Sequence, residues 1–332
     1  MSEPGLPYAS WPGDFVELPA GPVHVRRTPA DPDAEPAIFV HGLGGSATNW
    51  TDLMAELSDS SPDWPLLRPL ACEAIDLPGF GASPPRTDGN YTINSQASTV
   101  IALIEREGRG PVHLVGNSMG GAVVTRVAAR RPDLVRTITL ISPALPDLRL
   151  RQLPMRVALA SVPGIGPLLL DLVRKLPAES RVDRTIRDLY RDPSLVHPLR
   201  REEQIADVRR RDELDYAVQA LLLSARSLVG EYLRHGRGSL WWDASRTAAP
   251  ALVLHGSHDR LVSPLTAAKA ARSFRRGRIV VLPSVGHVAM MERPTVVAME
   301  MRAFLDWVRM ESAVGRVPAR PAGYRPRAVS SN

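Results

Sequence analysis

The segment Gly116-Asn117-Ser118-Met119-Gly120 constrains this chain more than any other. It lies between an apolar run, residues 112–115, and a run of small residues that begins Gly120-Gly121-Ala122. The first reads as a short buried strand and the second as the start of a helix. A serine at a tight strand-to-helix turn is held out as a nucleophile. Small residues at 116, 120 and 121 let the two backbones approach closely. The helix that follows aims its free N–H groups and positive dipole end at the serine. Alone, the pentapeptide is equally a glycine-rich turn, so the partners decide.

A serine hydroxyl needs a base, and the base needs an orienting carboxylate. The acid and then a histidine are expected after the serine, each just beyond a strand. Residues 251–254 are strand-like, and the turn Gly256-Ser257-His258-Asp259 presents Asp259. Residues 278–282 read as another strand, with Gly286-His287 in the loop beyond it. Asp259 and His287 are therefore the expected acid and base, with Asp147 the reserve acid. The other histidines fit poorly: His24 and His113 fall inside strands, His197 and His235 in an insertion. His41 precedes the serine, and His255 and His258 flank the acid. Two backbone N–H donors must face the developing oxyanion. Met119, after the nucleophile, is one. Leu43 is the other, in the turn Gly42-Leu43-Gly44-Gly45 that follows the strand 37–40. That turn lacks a Gly-Lys-Ser/Thr ending and a dinucleotide fingerprint, which sets aside a phosphate cradle.

Strand and helix patterns alternate through the first half. A hairpin surrounds Gly21-Pro22, strands are expected at 37–40, 70–75, 112–115 and 137–141, and helices at 47–57 and 93–107, the latter capped by Thr92 or Asn94. This predicts the α/β class, with a mainly parallel, doubly wound sheet covered on both faces. Leu43, Ser118, Asp259 and His287 then gather at the carboxyl ends of the strands. Residues 146–245 break the alternation with helical patterning, and are expected as a cap over the site, inserted between core segments 1–145 and 246–311. Apolar runs at 155–160 and 168–173 flank a Pro/Gly turn at 163–167. Further helices are expected at 184–190, 201–208 and 215–233. Most leucines of the runs are expected in the cap's own core. Trp241 and Trp242 either line the pocket or pack the hinge. A closing helix spans 295–310, and residues 312–332 read as a disordered tail.

Together these residues resemble the α/β-hydrolase superfamily over residues 14–145 and 246–310. The motifs are His41-Gly42-Leu43-Gly44-Gly45, Asp76-Leu77-Pro78-Gly79-Phe80-Gly81-Ala82-Ser83, the serine turn with Gly121, Gly256-Ser257-His258-Asp259, and Gly286-His287. Serine at 118 separates the chain from the epoxide hydrolase and haloalkane dehalogenase branches, which use aspartate there. Resemblance to capped carboxylesterases and monoacylglycerol-lipase-like enzymes implies cleavage of a carboxylic ester, small or lipid-like, through an acyl-enzyme. The serine turn is also similar to that of meta-cleavage-product hydrolases, which cut carbon–carbon bonds. Those enzymes carry tryptophan after the catalytic histidine, where Val288 stands here, and a Gly-Gly-Gly-Pro-like loop where this chain has Gly42-Leu43-Gly44-Gly45. A reading of another class is a non-catalytic binding protein on the same scaffold.

Composition bounds the partners. The chain has 332 residues, 44% hydrophobic, enough for one large domain or a domain with an insertion, with a sizeable core. Its formal charge of +6 comes from arginine, since Lys175 and Lys269 are the only lysines. Arginines are expected on solvated helix faces, and the run Arg209-Arg210-Arg211 is flanked by Asp207 and Asp212. Without a basic stripe interleaved with aromatics, no nucleic-acid partner is expected, while weak attraction to anionic membrane surfaces stays open. Cys72 is the single cysteine, so no intramolecular disulfide is expected. No Cys/His cluster has zinc spacing, and neither metal nor cofactor is expected. No leader pattern and no 18-residue apolar stretch are present, which leads to the expectation of a cytoplasmic protein.

Overall fold

The computed structural model describes residues 10–60, 69–147 and 162–314. Eight strands form one sheet in the order β1-β2-β4-β3-β5-β6-β7-β8. They are β1 (Gly13–Val16), β2 (Val23–Arg27), β3 (Glu35–Val40), β4 (Leu70–Ile75), β5 (Val112–Asn117), β6 (Val135–Ile141), β7 (Ala251–Gly256) and β8 (Gly277–Leu282). β1 and β2 run antiparallel, and β3 to β8 are all parallel. The α/β class and the mainly parallel, doubly wound sheet expected from the sequence are therefore present.

The sheet is buried on both faces, which is why its central strands are continuous apolar runs rather than alternating ones. All six residues of β5 and of β7 are buried. Successive residues still part to opposite sides. Ile38, Val40, Leu114 and Val253 enter one core, while Ala37, Phe39, Val115 and Leu252 enter the other. Helices α2 (Ile93–Glu107) and α3 (Met119–Arg130) cover the first core. Helix α1 (Thr51–Ser58) and the closing helix α11 (Pro294–Val314) cover the second. Thr92 caps α2, its hydroxyl accepting from the Ser95 N–H, and Gly108 closes it at φ +65°. The closing helix extends through residues 312–314, the start of the expected tail; residues 315–332 lie outside the described ones.

Between β6 and β7 the described residues form five α-helices: α4 (Ile165–Arg174), α5 (Ala178–Leu189), α6 (Pro198–Asp212), α7 (Ala217–Leu233) and α8 (Leu240–Arg246). The expected run 155–160 lies outside the described residues. The expected turn at 163–167 instead contains the start of α4, with Gly166 and Pro167 in its first turn, where proline's missing N–H costs nothing. The leucines of α4 depart from expectation as well. Leu168 is 69% and Leu172 60% exposed, so they are not cap core. Periodicity identifies an apolar face, but not whether anything packs on it. Trp241 settles into the hinge, donating from Nε1 to the Pro146 carbonyl at 2.9 Å. The remaining helices are α9 (Thr266–Ser273) and the single turn α10 (Ala289–Glu292). No helix among the described residues is long and apolar enough to cross a membrane.

Candidate active site

Ser118 sits between β5 and α3 at φ +52°, ψ −117°, a conformation that L side chains rarely adopt. The surrounding backbone holds it there. Its N–H donates to the Ile141 carbonyl at 3.1 Å, and its own carbonyl accepts from Ala144 at 2.9 Å. The turn is too tight for side chains at its glycines: a Cβ on Gly120 would collide with the Val40 carbonyl, and one on Gly121 would lie 2.7 Å from Pro143.

Asp259 and His287 emerge from the loops after β7 and β8 and meet at 2.9 Å, His287 Nδ1 to Asp259 Oδ2. Asp259 Oδ1 accepts from the Leu261 and Val262 N–H groups at 2.8 and 2.9 Å. Burial raises the Asp259 pKa, but the adjoining His287, the hydrogen bond from it and the Val262 N–H outweigh this and hold it below the usual carboxylate value. With Nδ1 so occupied, Nε2 has no hydrogen-bond partner among the described residues. Ser118, His287 and Leu43 line one cavity of about 490 Å³. Asp147 lines the same cavity, but the His287 Nδ1 is bonded to Asp259. His255, beside them, is buried and pushed down to about 4, chiefly by burial, so it is neutral near neutral pH.

The glycine-rich turn after β3 is braced by His41. Its Nε2 accepts from the Leu77 N–H at 3.0 Å, and its Nδ1 donates to the Gly42 carbonyl at 2.7 Å. Burial drives its pKa down, which suits this neutral tautomer. Because the peptide is planar and trans, fixing the Gly42 carbonyl aims the Leu43 N–H the opposite way. Among the described residues, neither the Leu43 nor the Met119 N–H has a hydrogen-bond partner. A Cβ on Gly42 would lie 3.2 Å from the Ser118 Cβ, so this turn passes directly against the serine. Asp76 ties it further, accepting from Ala47 N–H at 2.6 Å, Ala82 N–H at 2.9 Å and His24 Nδ1 at 2.9 Å.

Three contributors escaped the sequence reading. His41 precedes the serine in the chain, yet it orients the turn. Asn117 donates to the carbonyls of Ile141 at 3.0 Å and His287 at 3.3 Å, linking the serine turn to the histidine loop. Helix α6 docks on the glycine-rich turn, with Asp207 accepting from Ser46 Oγ at 2.8 Å and Arg211 donating to the Gly44 carbonyl at 2.9 Å. An amide before the serine and the histidine that opens the glycine-rich turn are visible in the sequence; the contacts of α6 depend on partners remote in sequence.

A serine, an imidazole and a carboxylate at the carboxyl ends of a parallel, doubly wound sheet place the molecule in the α/β-hydrolase fold class. Residues 37–300 match the model of the alpha/beta hydrolase family, and the chain belongs to that family. It is 29% identical over 272 residues to the dihydrolipoyllysine-residue acetyltransferase component of the acetoin cleaving system of Pseudomonas putida, a match over 81% of this chain and 63% of that protein. The chain thus spans less than two thirds of that relative's length. It is 27% identical over 272 residues to an esterase of Mycobacterium tuberculosis, covering 81% of this chain and 82% of the esterase. A solved bacterial membrane phospholipase A shares the fold with a TM-score of 0.68 at 24% identity, over 90% of this chain and 87% of its own.

Proposed function

We propose that this chain is a serine hydrolase that cleaves a carboxylic ester, small or lipid-like, through an acyl-enzyme. The observation that carries the reading is the 2.9 Å bond from His287 to Asp259 on a cavity that Ser118 also lines. The mycobacterial esterase, similar over most of its length, supports the choice of an ester. Ser118 Oγ attacks the ester carbonyl and His287 Nε2 takes its proton. Asp259 holds the ring and stabilises the imidazolium. The Leu43 and Met119 N–H groups receive the negative oxygen of the tetrahedral intermediate. His287 then protonates the departing alcohol, and water, deprotonated by the same nitrogen, releases the acid. The helices between β6 and β7 act as a cap. Val182, Val208, Leu228, Tyr232 and Met291 give the cavity apolar walls suited to an acyl chain.

The test is hydrolysis of p-nitrophenyl esters of rising chain length, beside one meta-cleavage ring-fission product. Ester turnover with an optimum in chain length is expected. Turnover of the ring-fission product alone would move the chain to carbon–carbon hydrolysis, and no turnover with retained ligand binding would make it a binding protein.

A further inference from the structure

Glu292, the last residue of α10, is buried, yet none of its oxygens serves its own helix. Its carboxylate takes three backbone N–H groups from two separate parts of the molecule. Gly286, directly before His287, donates to Oε2 at 2.7 Å. Arg191 donates to Oε1 at 3.1 Å and to Oε2 at 3.2 Å, and Asp192 to Oε1 at 3.1 Å. Arg191 and Asp192 belong to the turn that follows α5, within the insertion. That turn also meets His287 itself, whose N–H donates to the Leu189 carbonyl at 2.7 Å. There is no slack between the two segments: a Cβ on Gly286 would collide with the Leu189 carbonyl and lie 2.7 Å from the Arg191 nitrogen.

We infer that Glu292 is a positioning residue that makes the alignment of His287 depend on the seating of the α5 turn. Hydrogen bonds to a carboxylate are about twice as strong as neutral ones. One anion shared by both segments therefore couples them more tightly than direct packing does. If the α5 turn lifts, Gly286 keeps its acceptor but His287 loses its Leu189 anchor, and the carboxylate is free to swing. The cap is thus part of what sets the base, besides forming the cavity wall.

The kinetic arm of this inference rests on the serine-hydrolase reading; a spectroscopic arm does not. The parent protein is compared with Glu292→Gln, Arg191→Pro and Arg191→Ala, each shown to be folded by its thermal melt. Proline at 191 replaces the backbone N–H with a ring carbon that presses on the carboxylate, which breaks the link at a residue that does not itself line the cavity. Tyr190, at ψ 148°, already has the extended backbone that a residue before proline requires. Alanine at 191 keeps the N–H and removes only the side chain, so the pair separates the backbone link from the side chain.

The far-downfield proton of the His287–Asp259 bond is expected in the parent and in Arg191→Ala, and is expected to broaden or vanish in Glu292→Gln and Arg191→Pro. In the same two variants kcat on an ester should fall about 10- to 100-fold, the scale of a small misplacement of a catalytic group, with KM changing less. Should Glu292→Gln not fold, Arg191→Pro carries the test. An unchanged resonance with kcat within about twofold of the parent would overturn the inference. A parent that turns over no ester while its resonance disappears in Glu292→Gln would remove the hydrolase reading and leave the coupling standing.

Discussion

At the scale of single residues, Ser118 is held at a positive φ by bonds from its own backbone, so replacing its side chain leaves the turn's supports in place. Ser118→Ala should therefore fold normally and lose ester turnover by at least about 10³-fold; unchanged kcat/KM in that variant would remove the proposed nucleophile. His41 makes a separate prediction. His41→Phe keeps most of the ring's bulk but deletes both nitrogen contacts that orient the Gly42–Leu43 peptide. Losing the aim of one proposed oxyanion donor should cost about 10²-fold in kcat, and a split between kcat and KM would show it. A rise in KM alone, with kcat preserved, would assign His41 to substrate binding instead.

At the scale of elements, buried ion clusters join pieces whose sequences give no hint of the pairing. Arginines were expected on solvated faces, yet Arg126 of α3 is buried. It pairs with Glu231 of α7 at 2.9 Å, and with Asp243 of α8 and Asn94 of α2. Removing one partner of such a cluster leaves buried charge uncompensated. Arg126→Met should lower unfolding stability by about 3–5 kcal/mol in denaturant titration; a loss of a few tenths would show the cluster to be dispensable. A second cluster sits at the opposite ends of the strands, where Glu35 meets His113 at 3.1 Å and Arg136 at 2.7 Å. The hydrogen bond from His113, together with the nearby guanidinium groups of Arg136 and Arg309, outweighs burial and holds the Glu35 pKa at about 2, against 4.5 ordinarily. A depressed folded-state pKa stabilises above the unfolded value and is lost as pH falls through the folded one. The stability gap between parent and Glu35→Gln should therefore close as pH drops from 4.5 to 2, measured by melts across that range. A gap that is constant with pH would mean that the carboxylate's charge contributes nothing.

At the scale of the whole molecule, the parts legible in sequence were those written in local chemistry. Apolar runs marked the strands, and the glycines around Ser118 marked a close strand–helix contact. Loops after β7 and β8 brought Asp259 and His287 together as their positions required. What stayed hidden acts through backbone groups far along the chain. Glu292 meets Arg191 across 101 residues, and Asn117 reaches His287 across 170. No residue type announces a bond to a distant peptide group, because every residue except proline offers the same N–H and every residue the same carbonyl. The exposed leucines of α4 were misread for a related reason, since burial is decided by tertiary packing rather than by period.

Ser118 is the proposed nucleophile, with His287 and Asp259 as its proposed partners. The most direct measurement is reaction with a fluorophosphonate, followed by mass spectrometry of the proteolysed protein. One phosphonyl adduct is expected, on the peptide that carries Ser118, and none after Ser118→Ala or after boiling. An adduct on another serine, or none on the native protein, would contradict it.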